Sequence, residues 1–138
     1  MKFSHLLFTI AFTASSLVSA EVVVVMGTGS TVPSLSREQV SNIYLSKTRQ
    51  FPNGGTPVPL MLAQGSNNDE FFTKVLNRSD AQARAYWARL TFTGKGIAPR
   101  ELKDSNEIKQ TLSSNPYAIG FVQKSEADSN VVKIVLTP

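Results

Sequence analysis

The sequence predicts an α/β domain in which a mixed or parallel sheet is flanked by helices. Three observations predict it. Residues 21–26 (EVVVVM) are a continuous β-branched run, the pattern of a strand covered on both faces. Further short apolar runs alternate with stretches of helical period, the order of βαβ units. The chain has 138 residues, of which 41% are hydrophobic and 17% charged. That is enough for one core and too little for two full-sized domains. No internal repeat, low-complexity tract or interdomain linker interrupts it.

Residues 1–20 (MKFSHLLFTIAFTASSLVSA) stand apart from that domain. Lys2 gives a positive start, an apolar stretch runs from Leu6 to Val18, and Val18-Ser19-Ala20 puts small residues at a cleavage position. This order is that of a secretory signal peptide, and the apolar stretch is too short to span a bilayer. The expected mature chain is residues 21–138, exported to a periplasm-like space. No later run reaches about 18 apolar residues, so no membrane insertion is expected.

The elements follow in order. After the first strand, Gly27-Thr28-Gly29-Ser30-Thr31 is a turn-rich loop. Ser36 with Gln39 three residues later forms a capping-box pattern for a helix whose apolar stripe is Val40, Ile43 and Tyr44. Pro52-Asn53-Gly54-Gly55 is a loop, and residues 58–63 (VPLMLA) read as a strand in which Pro59 marks an edge or a strand start. Residues 69–76 read as a helix with Phe71, Phe72, Val75 and Leu76 facing in, and residues 81–90 as a second with Tyr86, Trp87 and Leu90 in its core. Thr93-Gly94-Lys95-Gly96 is a loop. Residues 104–113 read as a helix capped by Asp104 or Ser105 and stopped at Asn115-Pro116. Residues 117–123 and 131–137 are the last two strands.

Composition excludes several functions. Fourteen Lys and Arg face ten Asp and Glu, Cys is absent, and the single His, His5, lies in the segment expected to be removed. The mature chain then has no side chain of ordinary pKa near 7, no Ser/His or Cys/His couple, and no nitrogen or sulfur ligands for zinc. Asp69 and Glu70 are adjacent, so on a helix they diverge and make no catalytic pair. Arg78, Arg84, Arg89, Lys95 and Arg100 with Tyr86 and Trp87 resemble a nucleic-acid face in composition. The modest net charge and the export signal favour a solvated helix face instead. No enzyme, cofactor, metal or nucleic-acid partner is expected.

Two loops follow strands and have the composition of anion sites. In Gln64-Gly65-Ser66-Asn67-Asn68 a glycine turn leads straight into a helix. First-turn N–H groups lack helical partners and carry the positive end of the helix dipole, which suits phosphate or sulfate. Ser66, Asn67 and Asn68 add side-chain donors. The plainer reading is a turn in which Ser66 or Asn68 caps the helix, and Asp69 and Glu70 favour it by already occupying the dipole. The other loop, with Thr28 and Ser30, lacks both the Lys-Ser/Thr of a P-loop and the third glycine of a dinucleotide loop.

The segment from Ser36 to Lys47 (SREQVSNIYLSK) resembles the "L-T-x-E-Q-L-x-x-I-F-L-G-K" pattern of phosphate-binding periplasmic proteins. Those are the substrate-binding components of phosphate ABC transporters. Gln64 to Phe72 is similar to their "R-S-D-G-S-G-T-T-x-x-F", Gly94-Lys95-Gly96 to their "G-x-G", and Asn115 to Val122 (NPYAIGFV) to their "T-P-G-A-I-G-Y-V". The resemblance implies a single lobe of a type II periplasmic binding fold over residues 21–138, with about the first third of the two-lobed family protein missing. It also implies a departure at the phosphate loop. Leu62 stands where the family has Arg, Gln64 where it has Asp, and Asn67, Asn68 and Asp69 where it has Gly-Thr-Thr. Only Gly65 and Ser66 are kept.

Two functions are therefore expected. The first is weak binding of phosphate or a related oxyanion by Gln64, Gly65, Ser66, Asn67 and Asn68, closed by Thr28 and Ser30, by a second copy or by a partner such as a membrane transporter. The second is an accessory or interaction module, without ligand, of a periplasmic assembly or sensor system.

Overall fold

Successive side chains of a strand point to opposite faces, and in the computed structural model of the protein both faces of the valine run are covered. The structure describes residues 10–11 and 21–138; apart from Ile10 and Ala11, the expected signal peptide lies outside the described residues. In chain order the elements are β1 (Val22–Gly27), α1 (Arg37–Tyr44), β2 (Val58–Leu62), α2 (Ser66–Phe71) continuing as a π-helical turn (Phe72–Leu76), α3 (Asp80–Phe92), β3 (Arg100–Leu102), α4 (Ser105–Ser114), β4 (Ala118–Gln123), a 3-10 turn (Lys124–Glu126) and β5 (Val132–Leu136).

The five strands form one mixed sheet in the order β3-β2-β4-β1-β5. β2 runs parallel to β3 and to β4, whereas β1 is antiparallel to both β4 and β5. Val22, Val24 and Met26 pack with Ile119 and Phe121 against α1, the α2–π segment and α3. Val23 and Val25 pack on the other face with Leu60, Val122, and Ile108 and Leu112 of α4. The α4 backbone approaches so closely that a Cβ on Gly27 would stand 2.1 Å from the Leu112 carbonyl oxygen, so only glycine fits there.

The expected core residues Tyr44, Phe71, Phe72 and Trp87 are buried, and Ile119 and Val122 of β4 are buried with them. Phe71 stacks on Phe121 with centroids 4.2 Å apart, and Phe72 meets Trp87 edge to face. The indole Nε1–H of Trp87 donates to the Tyr44 carbonyl at 2.9 Å, so the ring is both packed and satisfied. The Ser36–Gln39 capping box forms as read, and Asp104 caps α4 through the Glu107 N–H.

Three readings are corrected. The helix expected from Asp69 starts at Ser66 and changes to π-helical spacing at Phe72. Tyr86 and Leu90 are only partly buried, because α3 lies at the margin of the aromatic cluster. β3 was not expected: with one buried residue in three it has no readable period, and it forms by pairing along β2. Of the two readings of Pro59, the strand start holds: it is the second residue of an internal strand.

Pro59 also marks where β2 and β4 part. They pair only at Val58–Ala118 and Pro59–Ile119. Beyond that point side chains take over the work of the ladder. The Tyr44 hydroxyl lies 2.7 Å from the Leu60 carbonyl, one step beyond the last pair on β2, and 3.1 Å from that of Ile119, the last paired residue of β4. Complete burial holds that hydroxyl far above the ordinary tyrosine pKa, so it stays a donor. Two residues further along β2, Asn68 performs the same task for Leu62.

Candidate functional site

The loop from Ala63 to Asn68 leaves the carboxyl end of β2 and enters α2 without an intervening coil. Gly65 is the N-cap residue at φ +120 and ψ 173, a conformation essentially restricted to glycine. The first helical bond runs from the Asp69 N–H to the Gly65 carbonyl at 3.3 Å, so the N–H groups of Ser66, Asn67 and Asn68 precede it. No side chain caps this helix. Among the described residues the other three α-helices are all capped, by Ser36, Ser79 and Asp104. Gln64, Gly65 and Ser66 are exposed and Asn67 is half-buried.

Side chains at the loop are more committed than the sequence suggested. Asn68 is fully buried: its Nδ2 donates to the Leu62 carbonyl at 2.6 Å, and its Oδ1 accepts the Leu62 N–H at 3.2 Å. It closes the open flank of β2 and, with no exposed surface, offers nothing to an approaching ligand. The Asn67 Oδ1 accepts from Gln123 Nε2 at the end of β4. Glu70 turns back to accept the Val22 N–H at 3.1 Å and pairs with Lys74 at 2.7 Å. Partial burial raises its carboxyl pKa, but the bonds from Lys74 and Val22 outweigh that and hold it below the usual range.

Arg84 was read as part of a solvated basic face, and the structure brings it to this loop. Its Nη2 donates to the Ala63 carbonyl at 2.6 Å, while Nη1 meets Glu101 at 2.5 Å and Nε meets Asp80 at 2.8 Å. Those carboxylates, Glu101 foremost, raise its pKa further. The guanidinium is thus beside the loop but shared between two acids. The Asp80–Arg84 spacing of four was the legible signal; the reach to Ala63 was not. Of the other basic residues, Arg78 lies over the Tyr86 ring at 4.6 Å, and Trp87 is buried, so no stacking platform for bases is formed by that pair.

Thr28 and Ser30 are not brought to this loop. β1 is antiparallel to β4, with Val22 opposite Gln123 and Met26 opposite Ile119, while β4 runs with β2. The start of β1 is therefore near Asn67, and Thr28 and Ser30 lie past its far end, roughly 15–20 Å away along the strand. Ser30 is buried, accepts the Val32 N–H at 3.1 Å and has its hydroxyl 3.7 Å from Met26 Sδ. Lys133 donates to the Ser30 and Val32 carbonyls. Ser30 is thus pinned structure, and of the two residues only Thr28 is exposed.

Among the described residues no group of three or more His, Cys, Asp and Glu could hold a metal, and no helix is long and apolar enough to cross a membrane.

No family model and no curated sequence matches the chain. Its fold does match solved structures. A putative phosphate ABC transporter substrate-binding protein with bound phosphate, from Clostridium perfringens, aligns with TM-score 0.64 and 18% identity over 84% of this chain and 44% of that one. An ABC-type phosphate transport receptor from Vibrio cholerae gives 0.62 and 15% over 84% and 45%. PstS from Borrelia burgdorferi gives 0.60 and 12% over 84% and 46%. The chain spans less than half the length of each. At these identities the likeness establishes the fold, a mixed α/β sheet resembling one lobe of such proteins.

Proposed function

We propose that the protein is an exported, non-enzymatic member of the phosphate-binding periplasmic family that takes phosphate or a related oxyanion weakly at Gly65, Ser66 and Asn67. The observation that carries this reading is the uncapped start of α2. A glycine at φ +120 follows the end of a parallel strand, and the N–H groups of exposed Ser66 and half-buried Asn67 precede the first helical bond with no side-chain cap over them, where every other described α-helix start has a capping side chain. The neighbours named for phosphate, and the kept Gly65-Ser66 pair, supply the ligand class. The Ser66 hydroxyl adds a donor, and Gln64 is exposed beside it. Leu62 is buried where the family pattern has Arg, and a lost charge-assisted bond of about 1.5–3 kcal/mol weakens affinity by roughly one to two powers of ten. Export rests on residues 1–20, with Glu21 as the first mature residue; mass spectrometry of the exported protein tests that directly.

Asp69 favours a second reading, a binding lobe that has lost its ligand and serves as an accessory module. Asp69 is exposed in the first turn of α2, where it occupies the helix dipole and repels a dianion. Calorimetric and NMR titration with phosphate and sulfate separates the two. Oxyanion binding predicts amide shifts at residues 65–68, weakened by Ser66→Ala and strengthened by Asp69→Asn. Unmoved resonances and an unchanged melting temperature at millimolar anion leave the accessory reading.

A further inference from the structure

At the other end of β2, a groove of about 290 Å³ lies between the turn that ends α1 and the Gly-rich loop that follows α3. Ile43, Pro57, Pro59 and Ile97 give it apolar walls, and Arg49 also lines it. Ile97 is 72% exposed, and Phe92, where the same loop begins, is 92% exposed. Single exposed apolar side chains are ordinary on any protein; Ile97, at the rim of an apolar groove, extends an apolar face.

Charge selects the partner. The one bond that Arg49 makes within the described residues is long, from Nη2 to the Lys95 carbonyl at 3.4 Å. Neither Arg49, Lys95 nor the neighbouring Lys47 joins an ion pair among the described residues. A guanidinium has five donors in a fork that matches a carboxylate, so most of this one's capacity faces outward. The groove's volume is at the lower limit of small-molecule pockets and suits one bulky side chain better than a whole ligand.

The groove is also preformed. Ser46 is held at φ +57, and its hydroxyl donates to the Ile97 carbonyl at 3.2 Å. A Cβ on Gly96 would stand 2.8 Å from the Ser46 Cβ, so turn and loop are locked together by a close approach. A surface with its geometry already fixed loses little entropy on binding.

We propose that this face docks an acidic segment of a partner protein, which seats one apolar side chain in the groove and sets its carboxylates against Arg49 and Lys95. The face is separated from the loop after β2 by the length of that strand, roughly 15 Å, so it works whether or not an anion is bound there.

The test is an NMR titration of the exported protein at low salt with a short acetylated peptide carrying a central Leu-Phe pair between blocks of Glu. Amide shifts are expected at residues 46–49 and 92–97 and are expected to persist under saturating phosphate. Arg49→Glu and Ile97→Asp, both surface changes whose melting temperature is checked against wild type, are expected to weaken the peptide at least tenfold, as is raised salt. Equal affinity for the same peptide with Lys in place of Glu overturns the proposal. So do shifts confined to other surfaces, or none at millimolar peptide. A wild-type dimer in sedimentation that Ile97→Asp dissolves also overturns it, by assigning the face to a second copy of this chain.

Discussion

The loop after β1 and the loop after β2 look alike in sequence: each leaves a buried strand, turns at glycine and continues with Ser and Thr or Asn. Their structures differ because of what comes next. After β2 the helix begins at once, and its first amides are left at the surface around Gly65. After β1 the chain turns at Thr28 and Gly29 and runs as coil from Ser30 to Ser36, and Ser30 and Lys133 spend their polar atoms holding it down. A glycine-rich turn becomes a candidate anion site only where a helix start coincides with it. The glycines themselves do different work: Gly65 supplies a positive φ, while Gly27 supplies the missing Cβ against α4.

Substitutions can break this comparison, the largest effect first. Asn68→Leu removes both partners of Leu62 in a fully buried position, and two orphaned backbone groups cost about 3 kcal/mol or more in urea melts. If the loss is below about 1 kcal/mol, water replaces the amide and Asn68 is free for other work. Gly27→Ala places a Cβ against a backbone oxygen that cannot swing aside, so about 1–3 kcal/mol is expected from the same measurement. A comparable cost at Gly65, through its φ, would leave the loops equal in stability and different only in exposure.

Smaller effects sharpen the contrast. Ser66→Ala is expected to weaken phosphate several-fold in calorimetry, whereas Thr28→Val leaves it unchanged, since Thr28 is at the far end of β1. Equal losses would mean that two copies share one anion. The smallest effect is on pH dependence. Glu70 has a lowered folded-state pKa, so its contribution is fully present above its unfolded value near ~4.3 and is lost as pH falls through the folded one. Acid denaturation curves of Glu70→Gln are therefore expected to be flatter below about pH 4 and parallel to wild type at neutral pH.

Much of the fold was legible because it is local. The Ser36–Gln39 box, the Asp104 cap, the valine run and the spacing of Tyr44, Phe71, Phe72 and Trp87 are each written within a few residues of where they act. The candidate loop was legible as a strand–glycine–helix junction for the same reason. Its electrostatics were not. Arg84 reaches Ala63 across 21 positions, and Gln123 reaches Asn67 across 56. The short β3 was illegible because three residues with one inward side chain have no period.

The sequence by itself determined most of the helices and strands, the helix starts that carry a side-chain cap, and most of the side chains that leave water. Local hydrogen bonds and hydrophobic periodicity fix all of these before any long-range contact forms. Only the tertiary structure decided that β1 enters the sheet antiparallel between β4 and β5. That single choice of register sends Thr28 and Ser30 to one end and Gly65 and Ser66 to the other. It also decided that Asn68 and Tyr44 complete a ladder that Pro59 leaves open. Strand order and register are set by pairings between residues many positions apart, and a sequence pattern of period two is the same whichever way the strand points.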